Sequence, residues 1–333
     1  MKRLVFLLWS FLFCSGAAFA QDYAGKTVTI VVGYKTGGGY DKVARVLARH
    51  LPKYLAGKPN VIVQNMPGAN SLIAADYVYN IAKPDGLTIG TFNRNLPIAQ
   101  LTHVAGVKFD MRKFQWVGSA ASESTVLAIR NDLPYKTFED LKKIPADKPL
   151  IIGATGPGAN TYDFPLLLKE LLGINLKIVS GYPSSGDIML AVERKEADGR
   201  AGSFTSLTPF IDRKLVRPLV RSRAVEPGIE KLPVDESFAP NPRAKAIMAL
   251  RSAPEVIGRP YVMPPKTPDA AVKAMREAFA RVIEDKDLKA EAKKQKLDLN
   301  YVAGDEALKV INELLDQPKD VVDEFSKYIK FGE

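Results

Sequence analysis

The fold of this 333-residue chain is decided by residues 27–51, TVTIVVGYKTGGGYDKVARVLARHL. The first six residues are all β-branched, which predicts a strand buried on both faces, as strands in parallel sheets are. Apolar residues then recur at 43, 46, 47 and 51, the spacing of a helix. A loop with three consecutive glycines separates the two elements. Strand, glycine-rich loop and helix in this order predict the beginning of a parallel α/β sheet.

The same alternation continues along the chain in two series, and strands that alternate with helices are typical of parallel sheets with helices on their faces. A chain this long exceeds one ordinary core, so we expect two α/β lobes. The further predicted strands are 61–63, 87–91, 126–129, 150–153, 176–179 and 217–220. The predicted helices are 41–51, 72–81, 162–172, 187–194, 269–284 and a last one at 305–315.

The N-terminus has the three parts of a secretory signal. Lys2 and Arg3 precede an apolar run at 4–13, and small residues then end in Ala18-Phe19-Ala20. The apolar run is shorter than the roughly 20 residues of a membrane-spanning helix. We therefore predict a signal peptide at 1–20, a mature chain that begins at Gln21, and a periplasmic location.

Composition excludes several classes of site. Cys14, the single cysteine, lies in the predicted signal, so disulfides, thiolate catalysis and cysteine-ligated zinc are excluded from the mature chain. The net charge of +10 falls to +8 when Lys2 and Arg3 are removed, which favours anionic partners. The basic segment 286–296 is interleaved with acidic residues and has no aromatic residue to stack a base. It predicts a solvated helix, and we expect no nucleic acid, metal or cofactor.

The loop at 33–41 is the strongest candidate for a binding site. Ligands of open parallel sheets bind outside the carboxyl ends of the strands, where this loop is predicted to lie. Its glycines leave backbone N–H groups unshielded, and a helix N-terminus behind them favours an anion. Asp41 fits either a contact with the ligand or a cap of the helix. The candidate ligand-binding residues of this loop are Tyr34, Lys35, Gly38, Gly39 and Asp41.

Further candidates follow other predicted strands. Asn93-Arg94-Asn95 offers a guanidinium and two amides, and arginine binds carboxylates bidentately. Arg94 also fits an ordinary surface position, and each loop taken alone fits a simple turn. No catalytic residue is predicted. The remaining candidate ligand-binding residues are Gly156, Gly158, Ala159, Asn160, Tyr182, Asp187, Ser203 and Phe204.

Several short motifs occur in a fixed order along the mature chain. They are the loop at 33–41 with its Gly-Gly-x-Asp ending, Val63–Ala69, Lys83–Gly86, Gly181-Tyr182, Glu196–Gly199 and Pro265–Pro268. Together they resemble the Bug-type solute-binding receptors, which are the extracytoplasmic components of tripartite tricarboxylate transporters. Departures from the family pattern at Lys35-Thr36, at 93–95 and at Asn160 concern the identity of the ligand.

The resemblance implies a type II periplasmic binding fold, in which crossing strands join two lobes around a ligand cleft. Lobe 1 would comprise residues 21–124 and 225–333, and lobe 2 residues 125–224. The implied ligand is a small organic mono- or dicarboxylate, and the implied partner is the set of membrane permease subunits. Gly38, Gly39, Asp41, 93–95, 156–160 and Tyr182 would line the cleft. We expect a monomer.

Two other functions are compatible with parts of the sequence. A two-lobed periplasmic sensor that reports a carboxylate to a membrane kinase would have the same soluble part. A periplasmic hydrolase is disfavoured, because the sequence lacks Gly-x-Ser-x-Gly and His-Glu-x-x-His. The aromatic side chains Tyr34, Phe92, Tyr182 and Phe204 near loop ends would suit an aromatic acid.

Overall fold

The computed structural model describes residues 22–297 and 299–329. The predicted signal peptide lies outside the described residues. Within them, no helix combines the length and the apolar character needed to cross a membrane. The strands are β1 Thr27–Val32, β2 Asn60–Asn65, β3 Thr88–Thr91, β4 Gln115–Ser119, β5 Thr125–Arg130, β6 Leu150–Gly153, β7 Leu176–Val179, β8 Gly199–Ser203, β9 Val216–Arg221, β10 Pro260–Met263 and β11 Val302–Ala303.

The helices agree with the predicted ones where a strong apolar period exists and add several shorter ones. They are α1 Gly39–His50, α2 Leu72–Asn80, α3 Leu96–Leu101, α4 Asn160–Leu172, α5 Ser185–Glu193, α6 Phe204–Asp212, α7 Pro242–Ser252, α8 Asp269–Ile283, α9 Lys286–Lys294, α10 Gly304–Leu315 and α11 Lys319–Tyr328. The prediction that the helix at 305–315 is the last one is wrong, because α11 follows it after a turn at Pro318.

The strands form two sheets, which confirms the predicted two-lobed α/β fold. Lobe 1 has the order β11-β4-β10-β3-β1-β2, and lobe 2 has the order β7-β6-β8-β5-β9. Both sheets are mixed: the predicted parallel pairing holds for β1 with β2 and β3 and for β6 with β7 and β8, but not for every strand. β5 runs antiparallel to β8 and β9, and β10 runs antiparallel to β3 and β4. β11 also runs antiparallel to its neighbour β4, and β5 is reversed because it enters its sheet from lobe 1.

The crossing strands orient the two sheets toward each other. β4 ends at Ser119 and β5 begins at Thr125, so a short connection joins the lobes. Thr125 pairs with Ser203, the last residue of β8. The carboxyl ends of β6 and β8, which are parallel neighbours, therefore face lobe 1. By the same argument Pro260, which opens β10, pairs with Ser119, so the carboxyl end of β4 faces lobe 2.

Apolar packing holds each sheet between helices and also joins the lobes. In lobe 1, Leu47 of α1 and Phe279 of α8 cover one face of the sheet. In lobe 2, Phe164 of α4 belongs to the core under β5 and β6. A further cluster combines α3 of lobe 1 with Leu167 of α4 and with Phe325 of α11. The lobes thus share apolar contacts beside the site.

Candidate ligand-binding site

The buried carboxylate of Asp41 stabilises the conformation of the glycine-rich loop of lobe 1. Gly37, with φ of 91°, donates its N–H to Asp41 Oδ2 at 2.8 Å. Asn65 Nδ2 donates to Asp41 Oδ1 at 2.8 Å, and Arg45 Nε donates to the same carboxylate at 3.0 Å. Burial acts to raise the pKa of Asp41, but the hydrogen bonds together outweigh it and lower that pKa. The side chain of Asp41 therefore shapes the loop, while Gly38 and Gly39 are exposed.

The two tyrosines of this loop form a stacked pair. The rings of Tyr34 and Tyr40 lie 4.6 Å apart, centroid to centroid. Tyr40 donates its hydroxyl hydrogen to the carbonyl of Gly258 at 3.0 Å and accepts the N–H of Arg94 at 3.2 Å. Burial raises the pKa of both phenols. Tyr34 is thus part of the wall of lobe 1, whereas Lys35 is exposed.

Arg94 is buried at the junction of the lobes, with 4% of its surface exposed. Its Nη1 donates to Glu123 Oε2 at 2.7 Å, and its Nη2 donates to Thr125 Oγ1 at 3.4 Å. Arg259 pairs with the other oxygen of Glu123. The guanidinium therefore already has an internal carboxylate at the connection between β4 and β5. A role for Arg94 in contacting the ligand stays a prediction.

Asn95 contacts lobe 2 directly. Its Nδ2 lies 3.4 Å from the carbonyl oxygen of Gly158 and 3.4 Å from Asn160 Oδ1. Asn93 Oδ1 accepts the N–H of Asn95 at 3.0 Å and so orients the loop. Candidate residues from two separate loops, 93–95 and 156–160, are thereby brought together across the two lobes.

The loop before α4 is organised in the same way as the loop before α1. Gly158, with φ of 82°, donates its N–H to Asp163 Oδ1 at 3.0 Å. Ala159 begins the turn into the helix, and a side chain at Gly156 would meet no atom within 4 Å. Burial raises the pKa of Asp163 to about 7. A buried acid four or five residues past a positive-φ glycine thus supports each of the two loops.

The remaining candidates lie at the starts of two other lobe-2 helices. Tyr182 is half-buried beside Gly153 at the end of β6. Asp187 belongs to the cap of α5, because Ser184 Oγ donates to its Oδ2 at 2.6 Å and accepts its N–H at 3.2 Å. Ser203 immediately precedes α6, and Phe204 is its first residue.

Phe204 also lines a groove of about 620 Å³ between α6 of lobe 2 and α9 of lobe 1. Lys289, Lys293 and Lys296 line the opposite side. The interleaved charges of this segment predict a solvated helix, and the groove beside it was not among the predicted sites. The spacing of Lys289 and Lys293 was the available signal, because it places both on one face of α9, whereas Lys296 lies just past the end of the helix. Among the described residues, no group of three or more His, Cys, Asp or Glu side chains could hold a metal ion.

Two mixed α/β lobes joined by crossing strands, with helix-opening loops facing each other, define a two-lobed solute-binding fold. Residues 43–326 match the family model of the tripartite tricarboxylate transporter family receptors, and the chain belongs to this family. Protein BugT of Bordetella pertussis is 31% identical over 157 residues, which are 46% of this chain and 40% of BugT. The chain spans about half the length of the curated relatives it matches, 42% and 54% in two further cases.

Solved structures agree with this assignment at the level of the fold. MatC from Rhodopseudomonas palustris with bound malate has a TM-score of 0.65 at 21% identity, over 89% of this chain and 98% of MatC. A second R. palustris protein, with adipate, has a TM-score of 0.70 at 18% identity, over 92% and 99% of the two chains. The fold and family predicted from the sequence motifs are confirmed.

Proposed function

We propose that this chain is a periplasmic solute-binding receptor of a tripartite tricarboxylate-type transporter. It captures a small organic carboxylate by closing its lobes and delivers it to membrane permease subunits, without catalysing a reaction. The observation that carries the proposal is the exposed glycine loop at the N-terminus of α1, on the edge of lobe 1 that faces lobe 2. Export would depend on the signal peptide predicted at 1–20, and the receptor would act as a monomer.

Closure would follow from contacts that the ligand makes with both lobes at once. A ligand shifts an equilibrium between open and closed states only by its differential affinity for them. N–H groups of Gly38 and Gly39 would hold a carboxylate from lobe 1, and the loop at 156–160 would meet the ligand from lobe 2. Asn95, which contacts lobe 2 in the structure, would lie between the two sets of donors.

A thermal-shift screen of the mature chain tests this function. Malate, adipate and benzoate represent short, longer and aromatic carboxylates, and the corresponding amides are the uncharged controls. At least one acid should raise the melting temperature and its amide should not, because a ligand that binds only the native state stabilises it. A folded protein that responds to none of the acids would contradict the proposal. Co-purification with permease subunits would distinguish a transport receptor from a kinase-linked sensor.

Replacing Asn95 by Ala should weaken binding of the acid with the largest wild-type shift by roughly 3- to 10-fold. The change removes a polar bridge between the lobes, and one such hydrogen bond contributes about 0.5–1.5 kcal/mol. Titration calorimetry measures the effect. Asn80→Ala is the matched control, because Asn80 is exposed at the far end of α2 and bonds to Asp76. Equal dissociation constants for the two variants would remove Asn95 from the closing contact.

A further inference from the structure

Among the residues that the structure describes, Arg200 in β8 is a buried cation without an acidic partner within ion-pair distance. It is 2% exposed, and its Nη1 donates to the carbonyl of Ala201 at 3.2 Å. Its Nη2 donates to the carbonyl and the hydroxyl of Ser206 at 3.3 and 3.0 Å. Its Nε is buried and has no hydrogen-bond partner within residues 22–297 and 299–329. Within these described residues, no carboxylate oxygen lies within 4 Å of the Arg200 guanidinium.

The other two deeply buried arginines differ in this respect. Arg94 pairs with Glu123 at 2.7 Å, and Arg251 pairs with Glu255 at 2.9 Å. A buried charge is costly unless it is paired, because it loses its hydration. Burial accordingly lowers the pKa of Arg200 to about 10, so the group remains charged at neutral pH. Among the described residues, Arg200 therefore has no carboxylate within the 4 Å of an ion pair, unlike Arg94 and Arg251.

The position of Arg200 places this charge at the edge that faces lobe 1. Thr125, where the chain arrives from lobe 1, pairs with Ser203 at the end of β8. A side chain at Gly202 would come within 2.2 Å of Nη1, so the glycine gives the guanidinium its space on this strand. Ser206, which accepts the hydrogen bonds donated by Nη2, is exposed in the first turn of α6. The N-terminus of that helix adds partial positive charge at the same place.

We propose that Arg200 is the lobe-2 residue that makes the receptor specific for an anion, holding a carboxylate of the ligand at the first turn of α6. This inference rests on the proposed function. Because the guanidinium is desolvated, its attraction for an anion is screened less than that of an exposed side chain. The ligand's negative charge thus serves as the counterion that the fold leaves out.

The test compares three substitutions at Arg200 with a matched control in the same lobe. Arg200→Met removes the charge at similar length, Arg200→Gln removes it but keeps a donor for Ser206, and Arg200→Lys keeps the charge. Arg217→Met is the control, because Arg217 also donates to backbone carbonyls, at 2.9 Å to Tyr135 and 3.1 Å to Asn131, at the opposite end of the sheet. The probe is whichever of malate, adipate or benzoate shifts the wild type most.

We expect the dissociation constant to rise about 10- to 100-fold in the Met and Gln variants, the range for a lost hydrogen bond to a charged group. The dissociation constant of the Lys variant should stay within a few-fold of the wild-type value. That of Arg217→Met should equal the wild-type value. If wild type and the folded uncharged variants bind equally, Arg200 is a structural brace and the inference fails while the function stands. Equal losses in the Lys and uncharged variants would also overturn it, since charge would not matter. If the wild type binds no acid, the function fails together with the inference.

Discussion

Replacing Glu123 by Gln should lower the free energy of unfolding by about 3–5 kcal/mol, the range for breaking a buried ion pair from one side. Glu123 is 7% exposed, accepts a hydrogen bond from Arg94 and forms an ion pair with Arg259; the two arginine side chains are 5% and 11% exposed. A neutral amide keeps the shape but removes the carboxylate that directly pairs with both guanidinium groups. Since the residue lies in the connection between β4 and β5, the loss would affect the junction of the lobes.

Urea denaturation at pH 7 measures this effect. Asp323→Asn is the control, because Asp323 pairs with Lys319 at 2.6 Å while their side chains are 57% and 87% exposed. An exposed pair contributes at most about 1 kcal/mol, so the control should change stability little. Similar small losses in both variants would show that water, rather than Glu123, solvates the two arginines.

Replacing Asp163 by Asn should stabilise the protein at pH 8 and flatten the dependence of its stability on pH. Burial raises the pKa of Asp163 from 3.8 to about 7. Between these values the folded state binds more protons than the unfolded state, so the contribution of Asp163 is greatest below pH 4 and is lost as the pH rises through 7. Three pKa units correspond to about 4 kcal/mol, which is an upper value for the gain. Asparagine keeps an acceptor for the N–H of Gly158.

Unfolding of wild type and variant at pH 5 and pH 8 checks this, and the advantage of the variant should grow with pH. A residual slope should remain, because burial raises the pKa of Asp235 to about 8. Asp140→Asn is the control of opposite sign. N–H groups of Lys136 and Thr137 bind the Asp140 carboxylate and lower its pKa, so its loss should destabilise the protein at both pH values. A pH-independent effect at Asp163 would show that it is ionised throughout.

Local sequence determined the elements with a strong pattern and the glycine loops, because helical period, β-branched runs and glycines act within a few residues of one another. The strands β4, β8, β10 and β11 lack such a pattern and were not predicted. β1 coincides with the strand predicted at 27–32, and α1 begins two residues before its predicted start at 41. The position of the glycine loop at a strand's carboxyl end followed from the same local pattern. The order of the family motifs was also sufficient to predict the fold, and the comparisons confirm it.

Tertiary structure alone decided which charges meet. Arg94 and Glu123 are 29 residues apart, and nothing in the composition of either loop indicates that they pair. Arg200 directly follows the motif Glu196–Gly199 but was not a candidate, because its lack of an acidic partner depends on every segment packed around it. Asp41 likewise depends on Asn65, 24 residues away. Whether a side chain is buried, and which charge it pairs with, depends on distant parts of the chain, whereas periodicity depends only on neighbouring residues. The loops could therefore be predicted from the sequence, but the ion pairs and pKa shifts within them could not.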